Sequence, residues 1–257
     1  MKTFKYRIGI IGLGHMGKAI FDGLVESGDF AREGIVTSNT AEGNREVAQS
    51  AEVILLAVKP DVVMSVLDDV RDALSADQLV ISVAAGLKIA DMQGALGDLG
   101  ADMPLVRVMP NICASVLESM SCWVKSPEVR EDQVAMICQI LRAIGDEAEV
   151  ESEDMIDYVT AIAGSGPAYF FRIAELLTEF GVAAGFAPEV AEKLAGQTFF
   201  GSAKMLHESG KSAATLRSEV TSKGGTTEAA LKSMAENDFG ETFKNGVMAA
   251  YKRAAGK

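Results

Sequence analysis

Histidine and cysteine are scarce in this chain: His15 and His207, and Cys113, Cys122 and Cys138, among 257 residues. An odd cysteine count without regular spacing is no disulfide framework. No pair has the spacing of zinc ligands, so no metal site is expected. The thiols read as idle groups in a reducing compartment. Long apolar runs are also missing. None approaches the ~18 residues that a membrane span needs. The opening residues lead directly into a strand pattern, so no signal peptide is read there. A cytoplasmic protein is the expectation.

Positive charge is in deficit, with 24 Lys and Arg against 36 Asp and Glu, a net charge of -12. Such a chain repels phosphate backbones and anionic lipid, so neither nucleic acid nor a membrane is an expected partner. An anionic cofactor would have to be held locally, by backbone amides and helix ends. The remaining composition, 48% hydrophobic and 23% charged, is that of a folded protein. Its length suits one large domain or two modest ones.

What is present falls into two halves. Short apolar runs over residues 6–11, 35–38, 53–58, 79–83, 105–109 and 122–124 read as strands. Several are apolar on both faces, as parallel strands covered by helices are. Amphipathic stretches over 16–27, 61–74, 89–96 and 128–144 read as helices between them. This alternation predicts an α/β, Rossmann-type doubly wound sheet over residues 1–150. Residues 151–257 show no strand pattern and predict an all-helical domain. Its helix over 167–184 is apolar around most of its circumference, with Arg172, Glu175, Thr178 and Glu179 as the few polar positions. Such a helix must be buried nearly all round. A second copy of the chain would bury it, and so would a central place within one subunit; the small size of the domain favours the homo-oligomer.

The first half opens on Gly12, Leu13, Gly14, His15, Met16 and Gly17, a G-x-G-x-x-G turn between a strand and a helix. Gly12 permits the tight turn, Gly14 lets the backbone approach a pyrophosphate, and Gly17 lets helix pack on strand. The context makes this a dinucleotide site. An acidic residue ending the second strand would grip the ribose of NADH, and none stands there. Ser38, Asn39 and Thr40 can donate to a 2′-phosphate, with Arg45 close in sequence. That favours NADPH over NADH, with Glu42 as the competing carboxylate. In the second half, Thr221, Ser222, Lys223, Gly224, Gly225, Thr226 and Thr227 gather hydroxyls around a glycine pair just before a helix. The cluster reads as a small anion site, although a threonine capping the helix would explain part of it.

These two motifs, with Leu55-Leu56-Ala57-Val58-Lys59-Pro60, Ser82-Val83-Ala84-Ala85-Gly86, Val106-Arg107-Val108-Met109-Pro110-Asn111 and Ala161-Ile162-Ala163-Gly164-Ser165-Gly166-Pro167-Ala168-Tyr169, resemble pyrroline-5-carboxylate reductase over nearly the whole chain. The resemblance implies hydride transfer from NADPH, or NADH, to a cyclic imine, giving L-proline in the last step of its synthesis. It implies cofactor contacts from the glycine loop (Gly12, Leu13, Gly14, His15, Met16, Gly17), Ser38, Asn39, Ala57, Val58, Lys59, Pro60, Ala84, Ala85, Gly86 and Asn111. It implies a substrate pocket of Ser222, Lys223, Gly224, Gly225, Thr226 and Thr227, with Thr227 as the hydroxyl donor near the imine nitrogen. It further implies a homodimer with interlocked helical domains, assembled into a decamer.

One departure is large. Only 13 residues separate Asn39 from the strand at Val53, where the family places a helix, a further strand and another segment. A strand at a sheet edge can be lost without breaking the core, but this stretch also surrounds the adenosine end of the cofactor. Two rival readings stand beside the reductase. A β-hydroxyacid type of dehydrogenase would use a helical lysine, Lys193 or Lys204, as its acid/base. A non-catalytic cofactor-binding protein would have no use for residues 221–227.

Overall fold

The computed structural model describes residues 6–257; the opening residues 1–5, in which no signal peptide is read, lie outside them. The chain divides into two compact units, one through Ser165 with Ala250–Lys257 added, the other Gly166–Ala249.

The first unit is a seven-stranded sheet in the order β2-β1-β3-β4-β5-β6-β7. The strands are β1 (Ile8–Ile11), β2 (Ile35–Ser38), β3 (Val53–Leu56), β4 (Leu79–Ser82), β5 (Leu105–Met109), β6 (Ser119–Lys125) and β7 (Gly145–Glu149). Helices α1 (His15–Glu26), α2 (Ala41–Ser50), α3 (Pro60–Val70), α4 (Ile89–Leu96), α5 (Glu131–Arg142) and α6 (Glu153–Val159) join or follow them. Strand side chains alternate between two cores. Ile8, Ile10, Val53, Leu55, Leu79 and Ile81 pack with α1 and α5. Ile11, Ile54, Leu56 and Val80 pack with α2, α3 and α4 on the other face. That double burial is why these runs are apolar throughout.

The sheet bears out the doubly wound reading in β1 to β5, all parallel. It corrects the far edge twice. β6 is longer than residues 122–124 and runs antiparallel to β5. Only residues 110–118 join the two, too few for the crossover that a parallel pair requires. β7 carries no apolar run to reveal it. It is an edge strand, Gly-Asp-Glu-Ala-Glu, and its charges protect that edge. At the opposite edge the sheet stops at β2, and α2 leads straight to β3. The short segment after Asn39 therefore lies at the sheet's edge and leaves its interior whole.

The compact units part after Ser165, beyond the sequence boundary at residue 150. The reason is that α6 lies against β5 and β6, where Arg107 on β5 is 3% exposed and pairs with Glu153 and Asp157 on α6 at 3.4 and 3.2 Å.

The second unit is helical: α7 (Gly166–Ala183), α8 (Pro188–Glu208), α9 (Ala213–Glu219), α10 (Thr226–Glu236) and most of α11 (Phe239–Ala254). It has almost no core of its own. Only Gly166, Pro167, Ala191 and Ala195 are buried, while Phe170, Phe171, Leu176, Leu177 and Phe180 of α7 lie open. A central place for α7 within one subunit is thereby excluded, and its apolar faces call for a second chain. No described helix is long and apolar enough to cross a membrane.

Candidate functional site

Strands β1, β3, β4 and β5 end at one edge of the sheet, and their following loops gather there. Backbone bonds tie them together: Ala57 N–H donates to Ile11 O at 2.8 Å, Val83 N–H to Leu56 O at 3.1 Å, and Gly12 N–H to Ser38 O at 2.8 Å. The structure thus brings the glycine loop together with residues 38–39, 57–60, 84–86 and 111.

The glycine loop shows which glycines the protein needs for itself. Gly12 has φ +99°, and a Cβ on it would press on Val58 and the Ala57 carbonyl. A Cβ on Gly17 would collide with the Gly12 carbonyl oxygen. On Gly14 it would meet nothing within 4 Å. Nothing in the chain requires a glycine there, whereas a pyrophosphate passing over the loop does. Gly14 is also the cap of α1, which has no capping side chain and no acidic residue in its first turn. The positive helix end is left for an anion. The residues present therefore fit a dinucleotide. Two substitutions separate these roles. Gly14→Ala should melt like the wild type yet bind the cofactor about a hundredfold more weakly, by collision with the phosphates. Gly17→Ala should lose about 1–3 kcal/mol by overpacking. Thermal melting and cofactor titration of both variants check this.

Around the adenosine end the picture is mixed. Asn39 accepts from Leu13 N–H through Oδ1 at 2.7 Å, keeping its amide N–H groups free. Ser38 is buried, with its hydroxyl engaged on the Thr40 backbone at 3.1 Å, so it is a poor donor to a phosphate. The Arg45 guanidinium donates one N–H to the Asp69 carbonyl at 2.6 Å and keeps others for a ligand. Glu42 lies exposed in the first turn of α2. Asn44 was missed by sequence reading. It is 7% exposed, and its buried Oδ1 has no hydrogen-bond partner. It shares the inward face of α2 with Val47 and Ala48. Val47 lies over Gly9. One helical turn, ~5 Å, back towards the start of α2 brings Asn44 level with the ends of β1 and β2. The available signal was a lone amide at an apolar position. An orphaned buried amide costs about 1–3 kcal/mol, which a bound group would recover.

Lys59 precedes Pro60 at the start of α3, exposed, and Ala85 and Gly86 are exposed after β4, with Gly86 at φ +75°. His15 and Met16 line a cavity of about 680 Å³ that continues to Pro110, Asn111 and Gly164. Asn111 has structural work in it. Its Oδ1 accepts from Cys113 N–H at 3.0 Å, and its Nδ2 donates to the Ala163 carbonyl at 3.1 Å. Burial pushes the thiols of Cys113, Cys122 and Cys138 up, in keeping with idle groups. The described residues hold no cluster able to bind a metal ion.

In the helical unit, residues 221–225 form the turn from α9 to α10. Gly224 has φ +75° and donates to Glu228 Oε2 at 2.7 Å, and Gly225 N–H donates to Ser222 O at 3.0 Å. Glu228 thus already uses part of the helix end. The cap of α10 is Gly225, without a side-chain bond. Thr226 and Thr227 are the first residues of the helix, so the threonine-cap reading fails. Thr227 is half-buried. The hydroxyls of Ser222, Thr226 and Thr227, and the Lys223 ammonium, stay available to a ligand. Lys193 is exposed, and Lys204 is exposed and paired with Glu208 at 3.6 Å. Neither has the surroundings of a catalytic lysine.

Comparison with known proteins agrees with this geometry. Residues 153–257 match the family model described as pyrroline-5-carboxylate reductase dimerisation, and residues 35–86 match the one described as NADP oxidoreductase coenzyme F420-dependent. The pyrroline-5-carboxylate reductase of Escherichia coli (strain K12) is 37% identical over 249 residues, 91% of either chain. A solved pyrroline-5-carboxylate reductase from Coxiella burnetii superposes with a TM-score of 0.89 at 34% identity, over 98% of both chains. A Plasmodium falciparum pyrroline carboxylate reductase with NADP bound gives 0.85 at 30% identity, over 97% of both. Likeness of this degree over nearly the full length has one reading: the chain belongs to the pyrroline-5-carboxylate reductase family.

Proposed function

We propose that this protein reduces 1-pyrroline-5-carboxylate to L-proline with NAD(P)H, closing proline biosynthesis. The observation that carries the reading is the pairing of a dinucleotide cradle, whose Gly14 the protein's own packing does not require, with a turn of unengaged hydroxyls at Ser222, Thr226 and Thr227. The cofactor, when bound, supplies the hydride. The protein supplies position and polarity. The helix end of α1 and the glycine loop hold the pyrophosphate. The turn around Gly224 and Gly225, with Lys223 beside it, receives the substrate carboxylate. The Thr227 hydroxyl donates to the imine nitrogen, so that carbon gains hydride while nitrogen gains a proton from solvent through that hydrogen bond. No strong base is needed, and most of the rate comes from placement in a site shielded from water.

NADPH is the preferred cofactor in this reading, with NADH as the alternative. The description NADP oxidoreductase for residues 35–86 and the NADP-bound Plasmodium relative support it. Asn44 holds the adenosine end. Asn44→Leu should weaken cofactor binding about tenfold while leaving the melting temperature of the free protein unchanged or higher, because the orphaned amide is gone. A cofactor titration and a melting curve decide it. The homo-oligomer is a dimer through the helical unit, assembled into a decamer, and it works in the cytoplasm without nucleic-acid or membrane partners. Loss of NADPH absorbance with 1-pyrroline-5-carboxylate tests the activity directly. A folded protein that turns over with neither nicotinamide would overturn the proposal.

A further inference from the structure

A second cavity, of about 490 Å³, lies wholly within the first unit, between the loop after β4, the end of β5, α6 and the chain's last turn. Its floor is the Arg107 guanidinium, 3% exposed and paired with Glu153 and Asp157. Each terminal nitrogen uses one N–H on these pairs, so further N–H groups remain. Lys88 and Asp154 stand at the rim, neither with an ion pair among the described residues. One wall is aromatic: the rings of Tyr158 and Tyr251 stack at 3.9 Å and 12°. The Lys257 ammonium donates to the Tyr251 hydroxyl at 3.1 Å and lies 5.3 Å from its ring centre.

The cavity is the size of a small-molecule site and too small for a dinucleotide. Positive groups stand beside negative ones, with an aromatic face between. A simple anion would leave Asp154 and the second oxygen of Asp157 unmatched, and a simple cation would leave Lys88 and the spare N–H groups of Arg107 unmatched. We propose that this cavity binds a small zwitterionic α-amino acid, its carboxylate on Arg107 and Lys88, its ammonium on Asp154 and Asp157, and its side chain against Tyr251. Gly86 lines the same cavity at φ +75° and ends the loop assigned above to the cofactor. An occupant therefore presses on that loop and alters cofactor affinity. This coupling alone rests on the proposed function; the binding does not.

The test is calorimetry of the full-length protein with the standard amino acids one at a time, and with acetate and methylammonium as half-ligands. Lys88→Ala and Asp154→Asn are surface changes that leave the fold intact. One amino acid should bind while neither half-ligand does, and each substitution should weaken it about fivefold. Thr227→Ala should not change that affinity, which separates this site from the substrate pocket. Binding of no amino acid, equal binding by acetate, or affinities unmoved by both rim substitutions would each overturn the proposal.

Discussion

Replacing Thr227 by alanine is expected to lower kcat about a hundredfold, the usual loss when one donor to a reacting heteroatom is removed. Thr227 is the second residue of α10, behind a glycine cap that takes no help from its side chain. Its hydroxyl makes no hydrogen bond among the described residues, so deleting it should leave the fold and its melting temperature as they are. Cofactor binding should also be unchanged, since the dinucleotide is held by the glycine loop and not by Thr227 in this reading. The KM for the imine should rise less than kcat falls, because the hydrogen bond strengthens as the nitrogen gains electron density. Thr227→Ser should recover most of the rate. Steady-state kinetics with NADPH and 1-pyrroline-5-carboxylate measure this. A Thr227→Ala enzyme with full kcat would remove Thr227 from the chemistry.

The second large effect concerns assembly. Phe180 is 76% exposed on α7 and Phe200 is 62% exposed on α8, in a unit with four buried residues. Burying one phenylalanine contributes about 1.5–3 kcal/mol, and a two-fold interface counts each position twice. Phe180→Asp should weaken the dimer at least about a hundredfold and give monomer at micromolar concentration. Sedimentation velocity reads the mass, and turnover should fall with it. An unchanged mass for Phe180→Asp and Phe200→Asp together would place the interface elsewhere.

Much of the fold was legible in the chain because burial on both faces leaves a mark. β1 and β3 are apolar throughout and β4 and β5 nearly so, and each strand from β1 to β5 was found within a few residues of its end. β7 was not legible, because an acidic edge strand looks like a loop. The direction of β6 was not legible either, since orientation depends on the length of a connection whose far end, the start of β6, was misplaced. In the site, the glycines were readable by spacing, but their separate duties were not. Only the space around each Cβ distinguishes Gly14, which faces nothing, from Gly17, which faces the Gly12 carbonyl.

The amino-acid sequence by itself determined the chemistry: a dinucleotide turn, a hydroxyl-rich turn, and a helix too apolar to stand alone. Each is a local pattern in which residue type and spacing suffice. The tertiary structure decided which groups are free to act. It bound Arg45 to a carbonyl and Ser38 to its own turn, left the Asn44 side-chain oxygen buried without a partner, and closed a cavity over Arg107. Hydrogen-bond partners and burial come from residues far apart in the chain, and no local pattern contains them.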